Sequence, residues 1–251
     1  VAFMAMAFLH LAGSGITERS KDLPAVQPPV GSPAKAAAEP VQSLSVAIRD
    51  SSPPESARAA FNALANAWNV PTAAGSDDLS RVPALEQAVL ERGLSMVRFS
   101  GNLGGLLRLD SPALMELAIP GVDGKRFVAL TGVTGDALRI RPAMGGQESI
   151  SPVELERYWT GQAFIFWKNA LGLPSLGPGA RGESVRVLQG LLAEAKCFSG
   201  TVTGEYDAET QSAVRAFQSA RGIIPDGTAG QRTLILLYRS VDRFQTPGLG
   251  R

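Results

Sequence analysis

The chain has 251 residues, of which 45% are hydrophobic and 19% charged, a length for two domains plus linkers with enough apolar side chain to build real cores. Twenty-four Lys and Arg against 23 Asp and Glu leave a formal net charge of +1, so no long-range field draws in a polyanion and nucleic acid is not an expected partner. One Cys and one His exclude an internal disulfide and a zinc site of several Cys and His ligands within one chain; no calcium-loop run occurs, and neither metal nor cofactor is expected.

Residues 1–15 open on VAFMAMAFLHLAG, in which only His10 could carry a charge. About fifteen residues fall short of the ~20 that a bilayer span needs. The first residue is Val, so the segment reads as the end of a transmembrane helix, with a truncated signal-peptide core as the competing reading. Either places the remainder outside the cytoplasm. Residues 16–54 are rich in Pro, Ala and Ser and read as an extended spacer, because such composition cannot bury enough surface to offset the entropy of ordering.

From Glu55 the pattern changes. Ala57, Phe61, Leu64 and Trp68 fall at helical spacing, with Arg58, Asn62 and Asn66 off the stripe. A second helix is predicted over Pro83–Arg92, with Pro in its first turn and Gly93 past its end. Apolar runs of strand length follow at Leu94–Phe99, Leu114–Ile119, Phe127–Val133, Ala137–Ile140 and Ala163–Trp167. Ser151-Pro152-Val153-Glu154 is a capping box that starts a short helix ending at Tyr158 or Trp159. Helices followed by strands predict an α+β domain over residues 55–173, closed by the Gly- and Pro-containing linker LPSLGPGARG.

Beyond it lies a repeat. Val185-Arg186-Val187-Leu188-Gln189 is echoed 29 residues later by Val214-Arg215-Ala216-Phe217-Gln218, and Gly-containing turns lead to Thr210 and Thr233 at helix starts. A duplicated helix-turn unit predicts a compact three-helix domain over residues 178–241. Its pattern is carried by Gly179, Arg181, Gly182, Val185, Leu188, Gln189 and Leu192, then by Gly200, Gly204, Tyr206, Asp207, Thr210, Ala213, Val214, Phe217 and Gln218, then by Asp226, Gly227, Gly230, Thr233 and Leu237. It resembles the peptidoglycan-binding domain of many cell-wall hydrolases.

Val185, Leu188, Leu192, Val214, Phe217 and Leu237 are expected in the core, the glycines at turns, and Asp207 with Thr210 at a helix cap. Arg181, Gln189, Tyr206, Gln218 and Asp226 have spare polar capacity. Wall fragments present N-acetyl groups, hydroxyls and carboxylates, so these five are the candidate peptidoglycan-binding residues, expected to converge on a groove where the repeats meet. Gln189 and Gln218 have an alternative role in bonding backbone at the turns. Cys197 reads as a small buried hydrophobe.

The run KRFVALTGVTGDALRIRPAMGGQESISPVELERYWTG resembles the second half of papain-like cysteine peptidases that process bacteriocin leaders. The resemblance puts that family's His on Arg126, its Asp on Arg141 and its Cys on or near Ala59 or Ala60. Two arginines and an alanine supply no nucleophile, base or orienting carboxylate, so no catalytic residue is assigned and the domain reads as a peptidase-like scaffold. No nucleophile elbow or phosphate loop occurs, and Glu154 and Glu156 read as cap and solvated helix face.

Membrane segment, spacer, degenerate papain-like domain and wall-binding module together resemble the periplasmic part of general secretion pathway A proteins of type II secretion, whose full-length form carries an ATPase upstream. The resemblance implies a periplasmic, inner-membrane-anchored, non-catalytic scaffold that binds peptidoglycan, oligomerises, works with a B-type partner and helps the outer-membrane secretin settle in the wall. The alternatives are a wall hydrolase with a targeting module and a wall-anchored adaptor unrelated to secretion.

Overall fold

The computed structural model describes residues 44–250 apart from Ser76 and Gly145. The apolar N-terminal segment with His10, and the spacer up to residue 43, lie outside the described residues.

Helix α1 (Leu44–Arg49) falls inside the segment expected to be spacer, and its Ile48 is fully buried. Helix α2 (Pro53–Ala67) begins two residues ahead of expectation because Ser52 caps it: Ser52 Oγ accepts from Glu55 N, and Glu55 Oε2 accepts from Ser52 N at 2.9 Å. Its buried residues Ala57, Ala60, Phe61, Leu64 and Ala65 form one stripe. Helix α3 (Val82–Leu90) matches the second predicted helix.

Strands β1 (Ser95–Ser100), β2 (Ala113–Leu117), β3 (Arg126–Thr134), β4 (Ala137–Met144), β5 (Gln147–Ile150) and β6 (Trp159–Trp167) form one sheet in the order β1-β6-β2-β3-β4-β5, all pairs antiparallel. Helix α4 (Leu103–Arg108) and strand β5 were not predicted, and helix α5 (Pro152–Tyr158) was. Strand β5 is a short, mostly exposed edge, QESI, with no apolar run to betray it.

The sheet is covered on both faces, and side-chain alternation divides it between two cores. Leu114, Phe127, Ala129, Phe164 and Phe166 point to the α2 and α3 side. Ala113, Met115, Val128, Leu130, Ala163, Ile165 and Trp167 point to the other. Burial on both faces is why these strands read as continuous apolar runs instead of alternating ones.

The second core continues without a break into the C-terminal helices α6 (Glu183–Glu194), α7 (Ala208–Ala220) and α8 (Gln231–Arg239). Val185, Leu188, Leu192, Val214, Phe217 and Leu237 are all buried there, as expected. The two expected domains are therefore joined. Tyr238 packs on Trp167 with ring centroids 6.1 Å apart and donates its hydroxyl to Asn169 Oδ1 at 3.0 Å. Asp110 takes a guanidinium hydrogen bond from Arg239 and accepts from Leu249 N at 3.1 Å, while Leu249 O accepts from Val133 N at 2.7 Å. The C-terminal tail thus straps the module to the sheet. The expected linker is also pinned, through paired backbone bonds between Leu176 and Ala229.

Candidate functional site

Each repeat folds a loop around a buried glutamine. Gln189, 0% exposed on α6, donates Nε2 to Thr203 Oγ1, Glu205 O and Thr210 Oγ1, and its Oε1 accepts from Gly204 N at 2.9 Å. Gln218, 1% exposed on α7, repeats the set: Nε2 donates to Asp226 Oδ1, Thr228 O and Thr233 Oγ1, and Oε1 accepts from Gly227 N at 2.9 Å. The glutamines are 29 residues apart, but their partners are 23 apart, so the second loop is shorter. Gly204 and Gly227 both have positive φ, and a Cβ there would come within 2.8 and 2.7 Å of Arg186 and Arg215, the same position of each repeat.

Tyr206 is buried and links the two loops, its hydroxyl donating to Gly227 O at 2.9 Å. Burial pushes this phenol up to about 12, with the Asp226 carboxylate acting in the same direction. A raised tyrosine pKa contributes stability that is complete below about pH 10, where the unfolded phenol begins to ionise, and is lost as pH rises through about 12. Tyr206→Phe is therefore expected to flatten the alkaline fall of the thermal midpoint between pH 9 and 12. It will not abolish it, because burial also raises Tyr238. Identical slopes for the two proteins would show that Tyr206 is not the titrating group.

The structure corrects the expectation of one convergent groove. Gln189, Gln218 and Tyr206 are buried with their polar atoms committed inside the module, the alternative role given to the glutamines. Arg181, with a side chain 75% exposed, pairs with Glu205 at 3.5 Å. Asp226 accepts from Gln218 Nε2 and Thr228 N, both at 2.8 Å. Thr203 and Thr233 belong to the same constellations; the signal for them was the second, 23-residue offset. Asp207 caps α7 through Thr210 N at 2.8 Å, and the Thr210 amide and hydroxyl hold its carboxyl below the usual range. Cys197 is half-buried against the core.

Among the described residues, two sizeable clefts lie against the module. The larger, about 780 Å³, lies among Trp68, Arg92, Lys168, Arg243 and Phe244. Its arginines are engaged: Arg92 donates to Pro71 O, Thr72 O and Ala88 O, and Arg243 pairs with Glu194 at 3.0 Å. The smaller, about 560 Å³, opens between β1 with α4 on one side and the α7–α8 turn on the other, and includes Asp226.

At the peptidase-like positions, Ser56 Oγ on α2 accepts from Phe127 N at 3.2 Å, which seats the helix start against the start of β3. Arg126 is 6% exposed and donates to the carbonyls of Asp123 and Lys125. Arg141 pairs with Glu148 at the surface, Ala59 is half-buried and Ala60 is buried. Glu154 N is capped by Ser151 Oγ at 3.2 Å. Among the described residues no group of three or more His, Cys, Asp and Glu could hold a metal ion.

Residues 181–237 match the family described as "Putative peptidoglycan binding domain". The chain is 26% identical over 159 residues to general secretion pathway protein A of Aeromonas hydrophila, a match covering 61% of this chain and 28% of that protein. It is 37% identical over 78 residues to the zinc D-Ala-D-Ala carboxypeptidase of Streptomyces albus G, covering 29% of each. The chain therefore spans under a third of the length of either relative. Among solved structures it is similar to a periplasmic domain of the EpsAB fusion protein of the Vibrio vulnificus type II secretion system, with 23% identity, 78% of this chain and 82% of that one covered, and a TM-score of 0.45. The chain is thus an α+β protein similar to general secretion pathway protein A, with residues 181–237 matching a peptidoglycan-binding domain family.

Proposed function

We propose that this chain is a periplasmic, non-catalytic scaffold that binds peptidoglycan and serves type II secretion. The match of residues 181–237 to the peptidoglycan-binding family carries the reading. The likeness to general secretion pathway protein A supports the secretion context, and the proposal adds a B-type partner, self-association and an inner-membrane anchor in residues 1–15. No helix among the described residues is long and apolar enough to cross a membrane. The α+β domain acts as a papain-like scaffold in which Arg126 and Arg141 are spent on carbonyls and on Glu148. Arg181 and Asp226 remain the wall-facing members of the five candidates, since Gln189, Tyr206 and Gln218 hold the loops that present them.

The full chain is expected to sediment with insoluble sacculi, to be released by soluble wall fragments, and to leave a zymogram uncleared. Sedimentation no greater than that of an unrelated protein of similar charge would overturn wall binding. Likeness to the carboxypeptidase favours a second reading, a wall hydrolase. Clearing of the zymogram that survives Cys197→Ala would support it.

A further inference from the structure

The cleft of about 560 Å³ is lined by polar side chains that are anchored at one end and uncommitted at the other. Asp226, from the module's second loop, gives only Oδ1 to the fold: Gln218 Nε2 and Thr228 N both donate to it at 2.8 Å, and Oδ2 has no partner among the described residues. Asn102, ahead of α4, likewise uses Oδ1 to accept from Gly105 N at 2.8 Å, and its Nδ2 makes no hydrogen bond among the described residues. Two arginines complete the set. Arg232 from α8 lies over the Phe99 ring at 5.1 Å, and Phe99 is stacked on Trp159. Arg108 from α4 runs across Gly222, where a Cβ would meet its Cδ at 3.1 Å; Gly222 also has φ +67°, so glycine both turns the chain and leaves the groove for this side chain. Neither guanidinium has an ion-pair partner among the described residues. Arg98 takes no part: it pairs with Phe164 across β1 and β6 and shares the α2 face of the sheet with it, away from the module.

One carboxylate among two guanidinia does not make a field of one sign. A peptide rich in carboxylates would lose to Asp226 part of what it gains from the arginines, and a cationic ligand would meet the reverse. A neutral ligand with many hydroxyl and amide groups can use every member. The carboxylate oxygen only accepts, the guanidinium and amide N–H groups only donate, and a sugar hydroxyl does both. Because each side chain is already held by its other end, little further ordering is needed when a ligand arrives.

We propose that this cleft binds the glycan strand of the wall through the hydroxyls and N-acetyl groups of its amino sugars, and that the α+β domain supplies one side of the site. The proposal rests on the wall-binding reading and names the part of the wall recognised. Asp226 Oδ2 accepts from sugar hydroxyls, while Arg108, Arg232 and Asn102 donate to hydroxyl and N-acetyl carbonyl oxygens. The peptidase-like domain then has a binding role without a catalytic one, and the apolar core that it shares with the module holds the two sides of the cleft together.

The test measures binding of the full chain to three soluble probes: glycan strands stripped of peptide, a free stem peptide, and dextran, a neutral glucan without N-acetyl groups. The stripped strands bind best, at least tenfold tighter than either of the others. Asp226→Asn keeps Oδ1 for Gln218 and Thr228 but turns the free acceptor into a donor, and Arg108→Gln removes a cation from the other side of the cleft. Each weakens glycan binding about tenfold, the scale of one hydrogen bond to a charged group. Arg108 is exposed, so its variant should melt at the wild-type temperature and decides the matter if Asp226→Asn loosens its loop. Wild-type glycan affinity in the Asp226→Asn/Arg108→Gln protein overturns the site. Loss in Asp226→Asn with wild-type affinity in Arg108→Gln overturns the part given to the α+β domain. Stem peptide or dextran bound as tightly as the stripped strands overturns the assignment to N-acetylated glycan. Sacculi retained equally by wild type and the double variant overturn this site and leave wall binding standing, whereas failure to retain sacculi at all is the separate failure of the wall-binding reading.

Discussion

Gln218→Ala is expected to lower the thermal midpoint of the chain by roughly 6–12 °C, corresponding to about 3 kcal/mol at 2–4 °C per kcal/mol for a unit of this size. The substitution removes four hydrogen bonds from a side chain that is 1% exposed. It strands Gly227 N without an acceptor, takes one of three donors from Thr228 O, and leaves a cavity beside Thr233. Phe217→Ala next to it should cost about 3–5 kcal/mol through cavity formation alone. A binding residue and a core residue would separate in such an experiment; these two should not. Gln218→Glu tests the same point, since it keeps an acceptor for Gly227 N but loses the amide donors and buries a charge. Thermal denaturation by circular dichroism checks the set, and a midpoint for Gln218→Ala within about 1 °C of wild type would return Gln218 to the list of ligand-contacting residues.

Ending the chain after Leu173 is expected to destroy the α+β domain as a folded unit instead of releasing it. Without the module, the sheet face formed by Met115, Val128, Leu130, Ile165 and Trp167 loses the part of its core contributed by Tyr238, Leu249 and their neighbours. Asp110 loses both Arg239 and the Leu249 amide. An exposed apolar sheet face of this kind is an association surface. Residues 44–173 should therefore bind a hydrophobic dye, aggregate and melt without a cooperative transition, whereas the full chain melts in one. A soluble fragment with a sharp transition, or two well-separated transitions in the full chain, would show that the shared core contributes little.

The duplicated module was legible in detail because its determinants are local. Val185, Leu188, Leu192, Val214 and Phe217 recur at helical spacing, and Asp207 and Thr210 cap a helix three residues apart in sequence. The long strands were legible for a related reason: burial on both faces leaves continuous apolar runs, and β3 and β6 carry them. What escaped was whatever lacked such a run. Strand β5 is polar on an edge, the first half of β6 reads WTGQ, and α4 contains two glycines.

By itself, then, the sequence determined the α+β class, the three-helix module, its core residues and the family resemblance, because periodicity, capping and repeats act over a few residues. Tertiary structure alone decided what the polar residues do. Gln189 and Gln218 have the composition of ligand contacts, but each is enclosed by a loop whose partners lie 8 to 21 residues away, and nothing local announces that closure. The loops close over these glutamines only because α6, α7 and α8 pack on shared apolar residues that lie far apart in sequence.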